Sequence, residues 1–264
     1  MFTLTVHSSW FRCDDYEKPA AAARRGFKAI EMLNWTGLDT RRMRAALEDA
    51  GVALSAILCR SKDPAIQEKI DNRHGIVHAD AQDAFVAAIG ETIAAAQSLG
   101  TKIIVVTTGN EIPEVPRCQQ HDQVVAALRA AAPLAKEAGM MLALEPLNVL
   151  VNHKGYYLTT TAEAVEMIRE VGSPSVRVLY DVYHQQITEG NLISTIRDNI
   201  EYIGHIHVGD VPGRKQPGTG EINYRNVFRA IRDTGYDGFV VFECGLTEDV
   251  DLVCPKMWAL LEDE

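Results

Sequence analysis

The chain has 264 residues, with 26 Lys and Arg against 36 Asp and Glu, a formal net charge of −10 and a pI near 5.3. Such an acidic balance repels phosphate backbones and argues against nucleic-acid and anionic-membrane partners, while 47% hydrophobic and 23% charged residues argue against disorder. The five cysteines, Cys13, Cys59, Cys118, Cys244 and Cys254, are odd in number, widely spaced and free of any C-x-x-C pair, so reduced thiols in a cytoplasmic protein are expected rather than a disulfide framework or a zinc–cysteine site.

The N-terminal run Met1 to His7 has no basic stretch followed by a long apolar one, so no signal peptide is expected, and no later segment approaches the ~20 apolar residues a membrane span needs. A first strand is predicted at 4–7. Predicted helices at 17–26, 39–50, 80–99, 121–138, 161–171, 190–201 and 223–234 then alternate with predicted strands at 27–32, 52–57, 101–106, 140–144, 176–180, 203–208 and 236–242. Glycine stands at many helix-to-strand joints (Gly26, Gly51, Gly100, Gly139, Gly235), where a left-handed residue stops a helix. Alternating βα units imply a parallel sheet with right-handed crossovers. About eight of them, evenly spread and without a linker, predict an α/β fold: a single (β/α)8 TIM barrel domain over 1–264. An open doubly wound sheet is the alternative, but the turn after the first strand reads Ser8-Ser9-Trp10-Phe11 and is not glycine-rich. Long irregular stretches are expected at 59–78, 109–120 and 209–222, all after strand C-termini, where barrels carry loops that act as lids.

The last four predicted strands each end in a residue that can do chemistry: Glu145, Asp181, His207 and Glu243. With a strand period of two, Ala143 and Glu145, Leu179 and Asp181, His205 and His207, and Val241 and Glu243 share faces. If those faces point inward, three carboxylates and an imidazole converge at the barrel mouth with no basic residue between them. A bound divalent cation resolves that repulsion. Oxygen-rich ligation with one nitrogen suits Mn2+, Mg2+ or Co2+ and leaves room for two adjacent substrate oxygens, as in an α-hydroxy carbonyl compound. Such a cation polarises the carbonyl, and two of the carboxylates can take and return a proton.

Other residues weigh less. His205 lies on the same face one layer deeper, which suits a buried, satisfied histidine better than a ligand. His184, three residues beyond Asp181, and Arg214, whose planar fork suits carboxylates, are candidates to touch substrate. His7 ends the first strand and is expected at the pocket floor. His74, His78, His121 and His153 are expected in solvent. The glycines between Gly213 and Glu221 read as a bent loop rather than a phosphate cradle, with Asn223 capping the helix that follows.

The runs Glu145-Pro146-Leu147-Asn148, Tyr180-Asp181-Val182-Tyr183-His184-Gln185, Ile203-Gly204-His205-Ile206-His207-Val208-Gly209-Asp210-Val211-Pro212-Gly213-Arg214 and Pro217-Gly218-Thr219-Gly220-Glu221-Ile222-Asn223-Tyr224 resemble the hydroxypyruvate isomerase group. That group belongs to the xylose-isomerase-like sugar isomerase and epimerase superfamily, together with the ketose 3-epimerases. The resemblance covers most of the chain and is densest from Glu145 to Glu243. It implies that Glu145, Asp181, His207 and Glu243 bind Mn2+ or Mg2+, that Glu145 and Glu243 are the catalytic acid/base pair, and that His184 and Arg214 hold a small-molecule substrate. It also implies a homo-oligomer, since such relatives commonly form dimers or tetramers. One departure is plain: hydroxypyruvate isomerases typically carry glutamine where His207 stands, and histidine there is the ketose 3-epimerase pattern.

The expected activity is therefore isomerisation of a hydroxypyruvate or 2-oxo-tetronate type compound through an enediolate. The alternatives are C3 epimerisation of a ketose and dehydration of a cyclic hydroxy-ketone on the same site. A zinc nuclease of the same superfamily would need more histidine ligands and a basic track, and an inactive sugar-binding relative would lack one of the four ligands.

Overall fold

The computed structural model describes residues 1–262, so the last two residues of the expected 1–264 domain lie outside the described residues. Its strands are β1 (Thr3–His7), β2 (Ala29–Glu31), β3 (Ala53–Leu54), β4 (Ala56–Leu58), β5 (Ile103–Val106), β6 (Met141–Leu144), β7 (Val176–Asp181), β8 (Ile203–Val208) and β9 (Phe239–Phe242). All pair in parallel in one sheet of order β3-β2-β1-β9-β8-β7-β6-β5-β4. The nine strands are the eight expected ones with the third broken at Ser55: β3 pairs with β2 and β4 with β5, so the sheet begins and ends on two pieces of one strand. That continuity makes the sheet a barrel, as expected.

Helices α1 (Lys18–Ala23), α2 (Thr40–Ala50), α3 (Pro64–Ile70), α4 (Gln82–Leu99), α5 (Arg117–Glu137), α6 (Thr161–Val171), α7 (Val182–Thr188), α8 (Leu192–Asn199), α9 (Tyr224–Asp233) and α10 (Val250–Ala259) surround it. Gly51 and Gly100 sit just past α2 and α4 at φ 62° and 80°, the left-handed conformation that ends a helix. The stretch 59–78 is not wholly irregular, because it contains α3. Pro64 stands at the start of that helix, and Asp63 accepts from Ala65 N–H at 2.8 Å, a start signal of the N-cap kind. Helix α5 likewise begins inside the stretch expected to be loop to residue 120. Among the described residues no helix is long and apolar enough to cross a membrane, and the five cysteines are free.

Two apolar layers hold the barrel. The larger lies between sheet and helices and includes Val6, Ile30, Ile104, Leu144, Val178, Ile206 and Val240. The smaller fills the barrel interior with Ala56, Ile103, Val105, Ala143 and Leu179. The inward residues Ala143 and Leu179 are two positions before Glu145 and Asp181, so strand alternation aims those acids at the mouth. On β8 the register with β7 shifts between Val178 and Leu179. Gly204 sits at this irregularity, where a Cβ would meet Met141 Sδ at 2.3 Å and Arg177 Cβ at 2.8 Å. Only glycine fits that inward spot, and the shift turns His205 and His207 inward behind it.

The loop after β8 is built around its own anion. Asp210 Oδ2 accepts from the N–H groups of Gly218, Thr219 and Gly220 at 2.8, 3.0 and 2.9 Å, and Oδ1 accepts from Ile222 at 3.2 Å. These amides are therefore satisfied internally, which agrees with a bent loop rather than a phosphate cradle. Asn223 caps α9 through Asn226 N–H at 3.2 Å, as expected.

Candidate active site

The four strand-end residues meet. Glu145 follows β6, Asp181 ends β7, His207 lies on β8, Glu243 follows β9, and one ligand atom from each lies within 4.8 Å of the others. His207 Nδ1 is 3.0 Å from Glu243 Oε2 and 3.9 Å from Glu145 Oε1. Asp181 has two tasks. Its Oδ1 accepts from Tyr183 N–H at 2.8 Å and caps α7, which starts without any loop, leaving Oδ2 to face the cluster.

The cluster is not without a cation. Arg214 Nη2 lies 2.6 Å from Glu243 Oε2 and 3.2 Å from Asp181 Oδ2, so the expectation of no basic residue between the acids is corrected. Arg214 reaches them from a left-handed backbone, φ 51°, just after Gly213, a conformation few non-glycine residues hold without other constraint. Its guanidinium also lies over the Tyr183 ring at 5.2 Å.

His184, in the first turn of α7, is oriented by the loop after β6. Asn148 N–H donates to His184 Nδ1 at 3.1 Å, and Asn148 Nδ2 stands 2.7 Å from the same nitrogen. A backbone N–H can only donate, so Nδ1 accepts and the ring proton is on Nε2, which lies 3.5 Å from Asp181 Oδ2. Burial pulls the His184 pKa down to about 4. The site thus holds a neutral imidazole with one N–H aimed inward.

His7 ends β1 and its Nδ1 turns to Ser9 Oγ at 2.7 Å. Burial lowers its pKa, with the charges of Glu243 and Glu31 opposing, which places it within electrostatic reach of the cluster. His153, expected in solvent, is half-buried and packs 5.2 Å from the His184 ring with φ 48°. His74 and His78 stack at 3.7 Å and His74 pairs with Asp80 at 2.8 Å, while His121 pairs with Glu170 at 2.9 Å. These three are engaged rather than free in solvent.

Sequence reasoning missed Glu31. This residue ends β2 and is 0% exposed. Its Oε1 accepts from His205 Nε2 at 2.8 Å and from Ser55 Oγ at 3.1 Å, and its Oε2 is 3.0 Å from His207 Nε2. His205 is thus the buried partner expected one layer deeper. The signal for Glu31 was present: an acid at a strand end, as at Glu145 and Glu243.

The electrostatics describe a site with too much negative charge. Burial pushes the Glu145 carboxyl well up, and Glu243 and Asp181 push it further against the pull of His207. Burial would lower His207, but Glu31 and Glu243 raise it well above the ordinary histidine value. Burial would likewise raise Glu243 and Glu31, yet His207, with Arg214 at Glu243 and His205 at Glu31, keeps both well below the usual carboxylate range. The surplus of negative charge favours a neutral Glu145 carboxyl and a charged His207 imidazole. A divalent cation fits this donor set, since it would offset the same negative charge that raises Glu145 and His207.

The xylose isomerase-like TIM barrel family model matches residues 19–251. A hydroxypyruvate isomerase of Escherichia coli (strain K12) is 35% identical over 159 residues, 60% of this chain and 61% of that protein. A 2-oxo-tetronate isomerase of Cupriavidus necator is 30% identical over 222 residues, 84% of this chain and 83% of that protein. Among solved structures, an L-ribulose 3-epimerase matches with a TM-score of 0.77 at 27% identity, covering 100% of this chain and 88% of the other.

Proposed function

Because the chain belongs to the xylose isomerase-like TIM barrel family, we propose that it is a divalent-metal-dependent isomerase of a small hydroxy-carbonyl compound of the hydroxypyruvate or 2-oxo-tetronate type. The observation that carries this reading is the convergence of Glu145, Asp181, His207 and Glu243 within 4.8 Å at the barrel mouth. Mn2+ or Mg2+ is the cation proposed there, with Co2+ also suited to the donor set. Held by these four residues, it would polarise the substrate carbonyl and stabilise the negative charge that develops on it.

The chain's own groups supply the remaining steps. Glu145 and Glu243 approach the same point from β6 and β9, with β7 and β8 between them. One carboxylate removes the proton from the carbon bearing the hydroxyl, leaving an enediolate. A proton is then delivered to the neighbouring carbon, and the oxygens exchange theirs, so that ketone becomes aldehyde without net change in composition. His184 donates its Nε2–H to a substrate oxygen and stays neutral while doing so. Arg214 offers a fixed positive charge beside Glu243 and Asp181, suited to the carboxylate of a 2-oxo acid. His7, at the end of β1, lines the pocket floor beneath a small substrate, and His153 packs behind His184.

A second reading, C3 epimerisation of a ketose, is favoured by His207 itself and by the likeness to the L-ribulose 3-epimerase structure. It uses the same two glutamates and differs in the carbon that receives the proton. Product analysis separates the two. The Mn2+- or Mg2+-loaded protein is incubated with hydroxypyruvate, 2-oxo-tetronates and ketoses from tetrulose to hexulose. An aldehyde or shifted carbonyl from a 2-oxo acid is expected. Conversion of ketoses alone to their C3 epimers selects the second reading, and loss of water contradicts both.

A further inference from the structure

We propose that Glu31 is a positioning residue for the cation site: it holds the His207 ring by Nε2, so that Nδ1 is the nitrogen presented to Glu145, Asp181 and Glu243. The inference rests on the metal-dependent reading above and concerns a residue that touches neither ion nor substrate.

Three observations carry it. First, the two nitrogens of His207 face different acids: Nδ1 is hydrogen-bonded to Glu243 Oε2 at 3.0 Å, and Nε2 lies in ion-pair contact with Glu31 Oε2 at 3.0 Å, off the line of a hydrogen bond. A ligand nitrogen must be free of hydrogen, and a fixed acceptor behind the other nitrogen is what decides which one that is. Second, Glu31 is itself fixed, by His205 Nε2 at 2.8 Å and by Ser55 Oγ at 3.1 Å on the same oxygen. Ser55 is the residue at which the third strand breaks into β3 and β4, so the irregularity of the sheet coincides with a contact to Glu31. Third, this polar set is set into an interior otherwise filled by Ala56, Ile103, Val105, Ala143 and Leu179. Apolar side chains would fill the same space with less desolvation, since buried ion pairs are poor stabilisers against hydrophobic packing. Their presence is explained by what they do to His207. His205 then acts one step further back, by keeping the Glu31 carboxylate from turning away.

The test is Mn2+ binding to the full chain, followed by the electron paramagnetic resonance signal of free Mn2+ and by calorimetry. Four proteins are compared: wild type, Glu31→Gln, His207→Gln and the double variant. Glu31→Gln is expected to weaken Mn2+ by about 10- to 100-fold with the stoichiometry still one, and to add nothing further in the His207→Gln background, because the effect travels through that ring. Wild-type affinity in Glu31→Gln overturns the proposal, as does the same weakening with and without His207, which would mark a bulk charge effect. If Glu31→Gln does not fold, Glu31→Asp is measured in its place; it keeps the charge but withdraws the oxygen from His207, and affinity equal to wild type overturns the proposal. Wild-type protein that binds no Mn2+ overturns the metal-dependent reading itself, and the positioning role with it.

Discussion

Glu145→Gln and Glu243→Gln are each expected to lower kcat by about 10²- to 10⁴-fold, the range a positioned proton-transfer group supplies. Both residues are proposed to move the substrate proton, so neither can stand in for the other. Their effects on folding should differ. Burial and the neighbouring acids already favour the neutral form of Glu145, and glutamine resembles a neutral acid in shape and charge, so the melting temperature of the metal-free protein should barely move. Glu243 is held ionised by His207 and Arg214. Its replacement leaves Arg214 Nη2 without the partner now 2.6 Å away, a change expected to cost roughly 1–3 kcal/mol. Steady-state kinetics, thermal unfolding and metal content measured on both variants check these outcomes together. Near-normal turnover in either variant contradicts a two-carboxylate mechanism. Lost turnover with wild-type metal content assigns the loss to proton transfer rather than to ligation.

Removing the divalent ion should have a comparable effect. Treatment with a chelator followed by dialysis is expected to lower activity by at least about 10²-fold, because a bound cation contributes several kcal/mol of charge stabilisation to the transition state. Mn2+ or Mg2+ should restore it. The ion should also raise the unfolding temperature, by a step for each tenfold rise in its concentration above the dissociation constant, since it binds the folded chain, where the four donors lie within 4.8 Å, far better than the unfolded one. Activity that survives verified metal depletion contradicts the proposed role of the cation.

Much of this site was legible in the sequence because strand alternation is a strong constraint. Ala143 and Leu179 had to point the same way as Glu145 and Asp181, and the barrel interior places them there. His207 was legible on the same ground, although the register shift beside Gly204 that sets its direction was not, since a bulge depends on what Met141 and Arg177 leave room for. Arg214 was picked as a substrate clamp, but its place among the acids depends on a left-handed backbone and a loop folded around Asp210. Glu31 was missed because the second strand was expected to run on to Met32, which hid the acid at its end, and its partner His207 is 176 positions away by the numbering. Likewise α7 escaped notice: a helix of 7 residues that begins where β7 ends has no loop to announce it.

The central claim, that a proton leaves one carbon of a small hydroxy-carbonyl compound and returns to the same or a neighbouring carbon, is tested most directly by proton NMR in D2O with the Mg2+-loaded protein. Hydroxypyruvate, 2-oxo-tetronates and ketoses from tetrulose to hexulose are each incubated with it. The expected result is deuterium appearing beside the carbonyl of at least one substrate, dependent on the ion and abolished in Glu145→Gln. No deuterium in any of them, with the ion shown to be bound, would contradict the claim.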